Sequence, residues 1–221
     1  MLAAVATLLL ACQAGTPADE RSARVASPAR AAVRTATAGP SPTPVRLDAS
    51  YPPELRRVAE ASARVKSFRA HQRITGGAIG SETAIEYVRP DRKRLTTTVT
   101  LAGQSSAREL IFIGRRVWTS ETITPGHPPA WREGVPIAGS RPFDELADTS
   151  FLGSPVSVTR GSDGTARSGP CQIWENPSER RRVCLGPNDN LPYWSTSFSE
   201  GHYVELEFYD FDAEIRIEPP T

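Results

Sequence analysis

The most informative residues of this 221-residue chain are its three cysteines, two of which are close in sequence. Cys171 and Cys184 lie in "CQIWENPSERRRVC", where two short runs of β-strand composition flank a turn-forming cluster, Asn176–Glu179. Antiparallel pairing about that turn places the two cysteines directly opposite each other. We therefore predict a disulfide across a β-hairpin, and with it an oxidising compartment. A metal site is the alternative, and it would need two further ligands.

Titratable side chains elsewhere form no recognisable catalytic or metal-binding pattern. His71, His127 and His202 stand singly, without the spacing of metal ligands. Asp210 and Asp212 could act as paired carboxylates, but in "YDFDAE" they are more simply turn residues. The chain has no G-x-S-x-G motif, and its "GGAIG" stretch is a turn between strands rather than a phosphate-binding loop. We predict that the protein is not an enzyme and that it binds neither a cofactor nor a metal.

The third cysteine, Cys12, follows the uncharged run Leu2–Ala11. This run has the length of a signal-peptide core and about half the length that a helix needs to cross a bilayer core of roughly 30 Å. "LLLAC" resembles the lipobox of bacterial lipoprotein precursors, which implies cleavage before Cys12 and acylation of that residue with chains such as palmitate. An ordinary secretory signal that ends in a chance cysteine, or a buried free thiol, would account for the same residues.

Composition divides the chain into three parts. Residues 13–50 are almost entirely Ala, Pro, Ser, Thr, Gly and Arg, too poor in large apolar side chains to offset the entropy of ordering them. We predict a lipoprotein signal peptide at 1–11, a lipidated disordered tether at 12–50 and one folded domain at 51–221, whose roughly 170 residues suit a single core. The 26 basic and 25 acidic residues give no reason to expect nucleic-acid binding. We expect a monomer.

Hydrophobic periodicity changes from 3.6 to 2 within the folded domain. Residues 52–68, "PPELRRVAEASARVKSF", have prolines at their head and apolar residues at helical spacing, which predicts an amphipathic helix. A meander of strands follows over residues 67–124, and a second helix is predicted at 142–151. The fold class predicted is α+β: a curled antiparallel sheet, a half-barrel of about 10–11 strands, covered by a few helices. The later predicted strands are 155–162, the two strands of the disulfide hairpin, 190–199, 202–211 and 213–220.

Two of these strands indicate how the sheet is covered. In "RLTTTVTLA", Leu95, Val99 and Leu101 share one face with Thr97, while the other three threonines occupy the opposite face. "ELIFIG" is apolar on both faces, so we expect it near the middle of the sheet with cover from both sides.

The order of these elements resembles the LolA/LppX-like superfamily of bacterial lipoprotein carriers. The resemblance rests on a helix ending in "RVKSFRA", a meander leading to "ELIFIGRRVW", a tryptophan in "PAWRE", and the closing "NLPYWSTSF" and "YVELEFYDFDAEIRIEPP". It spans roughly residues 51–220. Members of the superfamily are half-barrels closed by helices, with a hydrophobic cavity that holds acyl chains. The resemblance therefore implies that fold and a hydrophobic ligand for this chain.

The function predicted from these features is that of a lipoprotein anchored on the extracytoplasmic face of a bacterial envelope membrane, which binds or carries a lipid or another hydrophobic molecule. Two alternatives stay open: a module of the same fold that recognises an envelope protein and carries no ligand, and an unrecognised hydrolase. A cavity of this kind would bind through the apolar area that it buries. The predicted lining residues are apolar strand positions and aromatic side chains: Ile85, Tyr87, Leu95, Val99, Leu110, Phe112, Trp118, Trp131, Trp194, Phe198, Leu206 and Phe208.

Overall fold

The computed structural model describes residues 49–121, 130–134, 144–148 and 154–220. This part of the chain contains one α-helix, α1 (Pro53–Arg64), a short 3-10 helix at Pro155–Ser157, and eleven strands. The strands are β1 (Ser67–Gly76), β2 (Ile79–Val88), β3 (Arg92–Leu101), β4 (Gln104–Ile113), β5 (Arg116–Glu121), β6 (Trp131–Gly134), β7 (Thr159–Ala166), β8 (Gly169–Asn176), β9 (Arg181–Leu185), β10 (Pro192–Ser199) and β11 (His202–Tyr209).

The eleven described strands form one open antiparallel sheet, in the order β6-β5-β4-β3-β2-β1-β11-β10-β9-β8-β7. The first six strands and the last five are each joined to their sequence neighbours, and the pairing of β1 with β11 unites the two runs. This architecture confirms the predicted fold class, an α+β arrangement in which a long antiparallel sheet carries little helix.

Helix α1 forms where the sequence predicts a helix, but it is shorter. It begins at Pro53, whose fixed φ suits the first helical turn. It ends at Arg64 because Val65 is extended. The Arg89 guanidinium donates hydrogen bonds to the carbonyl oxygens of Ser62 and Val65, the second at 2.6 Å, and so satisfies the end of the helix from the β2–β3 corner.

The helix defines one face of the sheet. Leu55 and Val58 of α1 pack against Trp174, Val183 and Leu185, which share one side of β8 and β9. We call this side, together with the positions that the strand register places on it, the helix face.

The opposite side of the sheet is covered by the end of the chain. After β11 the backbone turns at Asp210 and Asp212, which have φ of 54° and 56°. The extended residues 213–220 then bring Ile217, 1% exposed, against Ile111 and Trp118. We call this side the tail face.

Two predicted elements differ from the structure. Residues 213–220 do not form the predicted last strand, because their apolar side chains cover the tail face while the backbone lies outside the described ladders. Trp131–Gly134, which lies outside the strands predicted from the sequence, is an edge strand paired with β5. Of the predicted helix at 142–151, only 144–148 is described, as a turn in which Asp144 O accepts bonds from the amides of residues 147 and 148. The rest of that prediction lies outside the described residues.

The predicted disulfide between Cys171 and Cys184 is present, with Cα atoms 5.4 Å apart. The predicted register is wrong, because Cys184 pairs with Ile173. Asn176 is buried and still belongs to β8, so the turn spans Pro177–Arg180, one residue later than predicted. The two cysteines are therefore diagonal neighbours on the tail face.

Ile217→Ala should lower the free energy of unfolding by about 2–4 kcal/mol, because truncating a fully buried side chain leaves a cavity. Denaturant unfolding followed by tryptophan fluorescence measures this change. Glu218→Ala, at the next and exposed position, is the matched control and should change stability by about 0.5 kcal/mol or less. Equal stability of the two variants would contradict the role of this segment as a cover for the sheet.

Candidate functional site

The five central strands, β11, β1, β2, β3 and β4, sort their side chains by charge. In these fully described strands the helix face carries only Lys93 and Arg108 as fixed charges, among apolar, Ser, Thr, Gln and His side chains. The tail face carries cross-strand ion pairs, such as Arg69–Glu86 at 3.0 Å and Arg94–Glu86 at 3.2 Å. Its charged positions are Arg69, Arg73, Glu82, Glu86, Arg92, Arg94, Glu109, Glu205 and Glu207.

One end of the helix face is a closed aromatic core. Phe68 stacks on Tyr87 with ring centroids 5.3 Å apart and meets the ring of Phe208 edge-on at 5.8 Å. These rings belong to one cluster with the last turn of α1 and with Leu146 of the 144–148 segment, which is fully buried. This end is filled by the chain itself.

The other end of the helix face is only half covered. It contains six half-buried apolar side chains on four strands, β11, β1, β3 and β4, which we call the apolar shelf. Between them, the hydroxyl groups of Thr83 and Thr97 lie 3.1 Å apart and hydrogen-bond to each other, so they place little demand on solvent. The residues of the apolar shelf are Ile74, Leu95, Val99, Leu110, Val204 and Leu206.

Two ion pairs hold the 144–148 segment at the closed end of the helix face, where Lys93 pairs with Tyr87 and Arg89 lies in the β2–β3 turn. Arg89 Nε donates to Asp144 Oδ2 at 2.7 Å, and Lys93 Nζ donates to Glu145 Oε1. The side chains of Lys93 and Glu145 are only 4% and 11% exposed. Charges buried to this extent are tolerated when they are paired, so each partner depends on the other.

Burial sets the protonation chemistry of this pair. It lowers the pKa of Lys93, against the opposing attraction of Glu145. It raises the pKa of Glu145, against the opposing attraction of Lys93. Burial also raises the pKa of Tyr87, whose hydroxyl donates to Pro90 O at 3.3 Å. Both partners of the ion pair are thus shifted toward their neutral forms by loss of solvent.

The structure divides the twelve predicted lining residues between the two faces. Trp118 pairs with Ile111 beneath the end of the chain, and Trp194 pairs with Cys184, so aromatic character did not indicate the face. The helix face holds Ile85, Tyr87, Leu95, Val99, Leu110, Phe112, Leu206 and Phe208. The tail face holds Trp118, Trp131, Trp194 and Phe198, which cannot line the same surface.

The other titratable residues singled out in the sequence have structural surroundings. Asp210 Oδ2 accepts from Arg69 Nη1 at 2.9 Å, and Asp212 Oδ1 accepts from the Lys66 amide at 2.6 Å, so the two carboxylates serve a turn. His71 lies on the tail face with Nε2 4.0 Å from Glu82 Oε2. Cys12 and His127 lie outside the described residues.

Several residues of the site were not predicted from the sequence. Lys93 lies within the basic run "RKR", which resembles a solvated strand end, and nothing in the sequence pairs it with Glu145. Ile74 and Val204 alternate with polar neighbours and are cross-strand partners, so period-2 counting alone could have placed them on the shelf. Trp174 lies under α1, and only the register of the disulfide hairpin reveals its face.

Other site types have little support in the described part of the chain. No group of three or more His, Cys, Asp or Glu side chains there could hold a metal ion. No described helix has the length and apolar character to span a bilayer. A pocket beside Val158, Trp174 and Val183 has a volume of about 10 Å³, room for about one water molecule.

Comparison with known proteins identifies the fold. No protein-family model and no curated protein matches this chain by sequence. The solved structure of LprF from Mycobacterium bovis matches it with a TM-score of 0.51 at 8% identity, over 76% of this chain and 95% of that one. The fold of this chain is similar to that of LprF. The lipoprotein LppX from Mycobacterium tuberculosis matches with a TM-score of 0.48 at 9% identity, over 75% of this chain and 96% of that one.

The ion pair predicts an asymmetric response to mutation. Lys93→Met should lower the free energy of unfolding at pH 7 by about 3–5 kcal/mol, because it leaves the Glu145 carboxylate buried and unpaired. The double variant Lys93→Met/Glu145→Leu should recover most of that loss, because it removes both charges. Denaturant unfolding of both variants and the wild-type chain measures the difference.

The stability of the same variants should also depend on pH in a defined direction. In Lys93→Met the pKa of Glu145 in the folded chain lies above its unfolded value, so protonation favours the folded state. Stability should therefore rise as the pH falls from about 7 to about 5, and the double variant should lack this rise. A pH-independent loss in Lys93→Met, or a double variant as unstable as the single one, would contradict the pairing.

Proposed function

We propose that this protein is a membrane-anchored bacterial envelope lipoprotein that binds or carries a lipid or another hydrophobic ligand on the apolar shelf. The observation that carries the proposal is the charge sorting of the five central strands. Side chains of a sheet alternate between faces, and here nearly all charges lie on the tail face. The shelf is left apolar and half covered, as a surface for alkyl chains requires.

The energetics of such a site need no specific polar contacts. Burying apolar area contributes about 25 cal/mol per Å², so a chain lying along several strands gains affinity by length. The hydroxyl groups of Thr83 and Thr97 hydrogen-bond to each other at 3.1 Å, so a bound alkyl chain would displace fewer of their hydrogen bonds to water. The resemblance of the sequence to the LolA/LppX-like superfamily, which implies a cavity for acyl chains, supports the same function.

The proposed anchor is an acylated Cys12 at the start of a tether. The disulfide uses the other two cysteines of the chain, which leaves Cys12 available for acylation. An oxidised disulfide is also the expected state in an extracytoplasmic compartment. We place the protein on the outer side of an envelope membrane, without a catalytic role.

Lipid occupancy tests the ligand proposal. Val99→Trp should reduce the lipid that co-purifies with the chain from a bacterial membrane fraction to about a tenth, because the indole fills the shelf. Thr98→Trp, at the next position of β3 on the tail face, is the matched control and should retain the wild-type amount. Native mass spectrometry and lipid extraction measure occupancy. Lipid-free wild-type protein that instead retains a protein partner would support an interaction module of this fold.

Membrane fractionation tests the anchor. Cys12→Ser should release the protein from the membrane fraction, because the acylated sulfur is the proposed attachment point. The wild-type chain is the control and should sediment with membranes. A variant that remains in the membrane fraction would show that another part of the chain attaches the protein.

A further inference from the structure

Two uncharged stretches of the sequence meet at one end of the sheet. Residues 74–81 and 95–107 contain no charged side chain. They form the tips of the β1–β2 and β3–β4 hairpins, which lie side by side because Ile79 pairs with Leu101 and the Ala102 amide donates to Ala78 O at 3.3 Å. We call residues 77–79 and 101–103 the hairpin tip. The turns at the opposite end of these strands contain Arg89, Asp91 and Arg115.

The hairpin tip exposes large apolar side chains to solvent. Ile79 is 48% exposed and Leu101 is 54% exposed, and Tyr203 at 40% is the other exposed large hydrophobic residue of the described chain. Ile79 and Leu101 are direct cross-strand partners on the helix face, in line with Val99 of the apolar shelf. The exposed pair is thus the outer edge of the proposed ligand surface.

The β3–β4 turn has alanine at a position whose backbone conformation favours Asn, Asp or Gly. Ala102 and Gly103 have φ of 49° and 80°, as in a type I′ hairpin turn. Asn, Asp or Gly usually occupies such positions, because a β-carbon is strained in the left-handed region. Alanine at position 102 therefore adopts a less favourable conformation and keeps the tip free of polar side chains.

We propose that the hairpin tip contacts the surface of a lipid bilayer and sets the open end of the apolar shelf against the membrane. This inference rests on the proposed function. A tip in contact with the bilayer would give a lipid a route between the membrane and the shelf. Without charged side chains to desolvate, the tip can place Ile79 and Leu101 at the headgroup–acyl boundary by apolar contact alone. The contact requires no anionic lipid.

The length of chain ahead of the domain permits this contact in the anchor's own membrane. The proposed tether between Cys12 and the first described residue, residue 49, contains 36 residues, and a flexible chain of that length has an end-to-end distance of about 30 Å. A ten-residue strand such as β3 is about 33 Å long. Either end of the domain can therefore reach the bilayer, and the β1–β2 and β3–β4 turns of the tip contain no charged side chain, unlike the β2–β3 and β4–β5 turns at the opposite end.

A tethered fluorescence experiment tests the contact without depending on acylation. The chain from residue 12 onward, with Cys12→Ser and a hexahistidine tag ahead of it, is attached to phosphatidylcholine vesicles that contain a nickel-chelating lipid. Its described core clusters lie within residues 51–217, so the tag is remote from the fold. An environment-sensitive NBD dye is attached through Ala78→Cys at the tip or through Arg115→Cys at the charged end.

The tip position should show a blue-shifted and severalfold brighter emission on vesicles, and position 115 should show neither. Ala102→Asp suits the left-handed backbone, so it should preserve the melting temperature while cutting the tip signal by about tenfold. No tip response, equal responses at both positions, or an undiminished response in Ala102→Asp would overturn the proposal. A response that appears without vesicles as protein concentration rises would also overturn it and assign the tip to self-association.

The same preparation separates this inference from the ligand proposal. Val99→Trp blocks the shelf and leaves the tip intact, so it should lose co-purifying lipid and keep the tip response. Wild-type protein that carries no lipid but shows the tip response would refute the ligand proposal alone. Protein that carries lipid without a tip response would refute only the membrane contact.

Discussion

The alternation of side chains along five neighbouring strands is the constraint on which the site depends. Each residue of a strand faces opposite to its neighbours, so a strand can be charged on one face and apolar on the other only if the register holds. Here Arg69–Glu86 and Arg94–Glu109, at 3.0 and 3.2 Å, lie on the tail face. A shift of one residue would bring those charges onto the helix face, so the same pairs help to specify the register.

Cover on both faces follows from this arrangement. Ile111 and Ile113 need a partner on the tail face, and the extended end of the chain supplies one through Ile215 and Ile217. On the helix face, α1 and the 144–148 segment close only the end near Phe68. A buried ion pair, Lys93–Glu145, also lies at that end. An apolar pair at these two positions would avoid the desolvation cost of burying two charges.

The spacing of apolar residues predicted the helix and most strands. It failed where contacts between residues distant in sequence determine which face of the sheet a residue covers. Period-2 alternation placed Leu95 and Val99 on one face, and the prolines and apolar spacing located α1. The end of the chain alternates like a strand, yet it covers a face instead of joining the sheet, which no local signal reveals. Aromatic residues such as Trp118 were assigned to the pocket by type, and only cross-strand register shows that this one faces the tail.

The central claim is that a hydrophobic ligand lies on the apolar shelf. Photo-crosslinking with a diazirine-bearing fatty acid, followed by peptide mapping of the wild-type chain, tests it most directly. Adducts are predicted at helix-face positions of β3, β4 and β11, at or beside Leu95, Leu110 and Leu206. Adducts confined to the tail face, or none at ligand concentrations that saturate binding, would contradict the account.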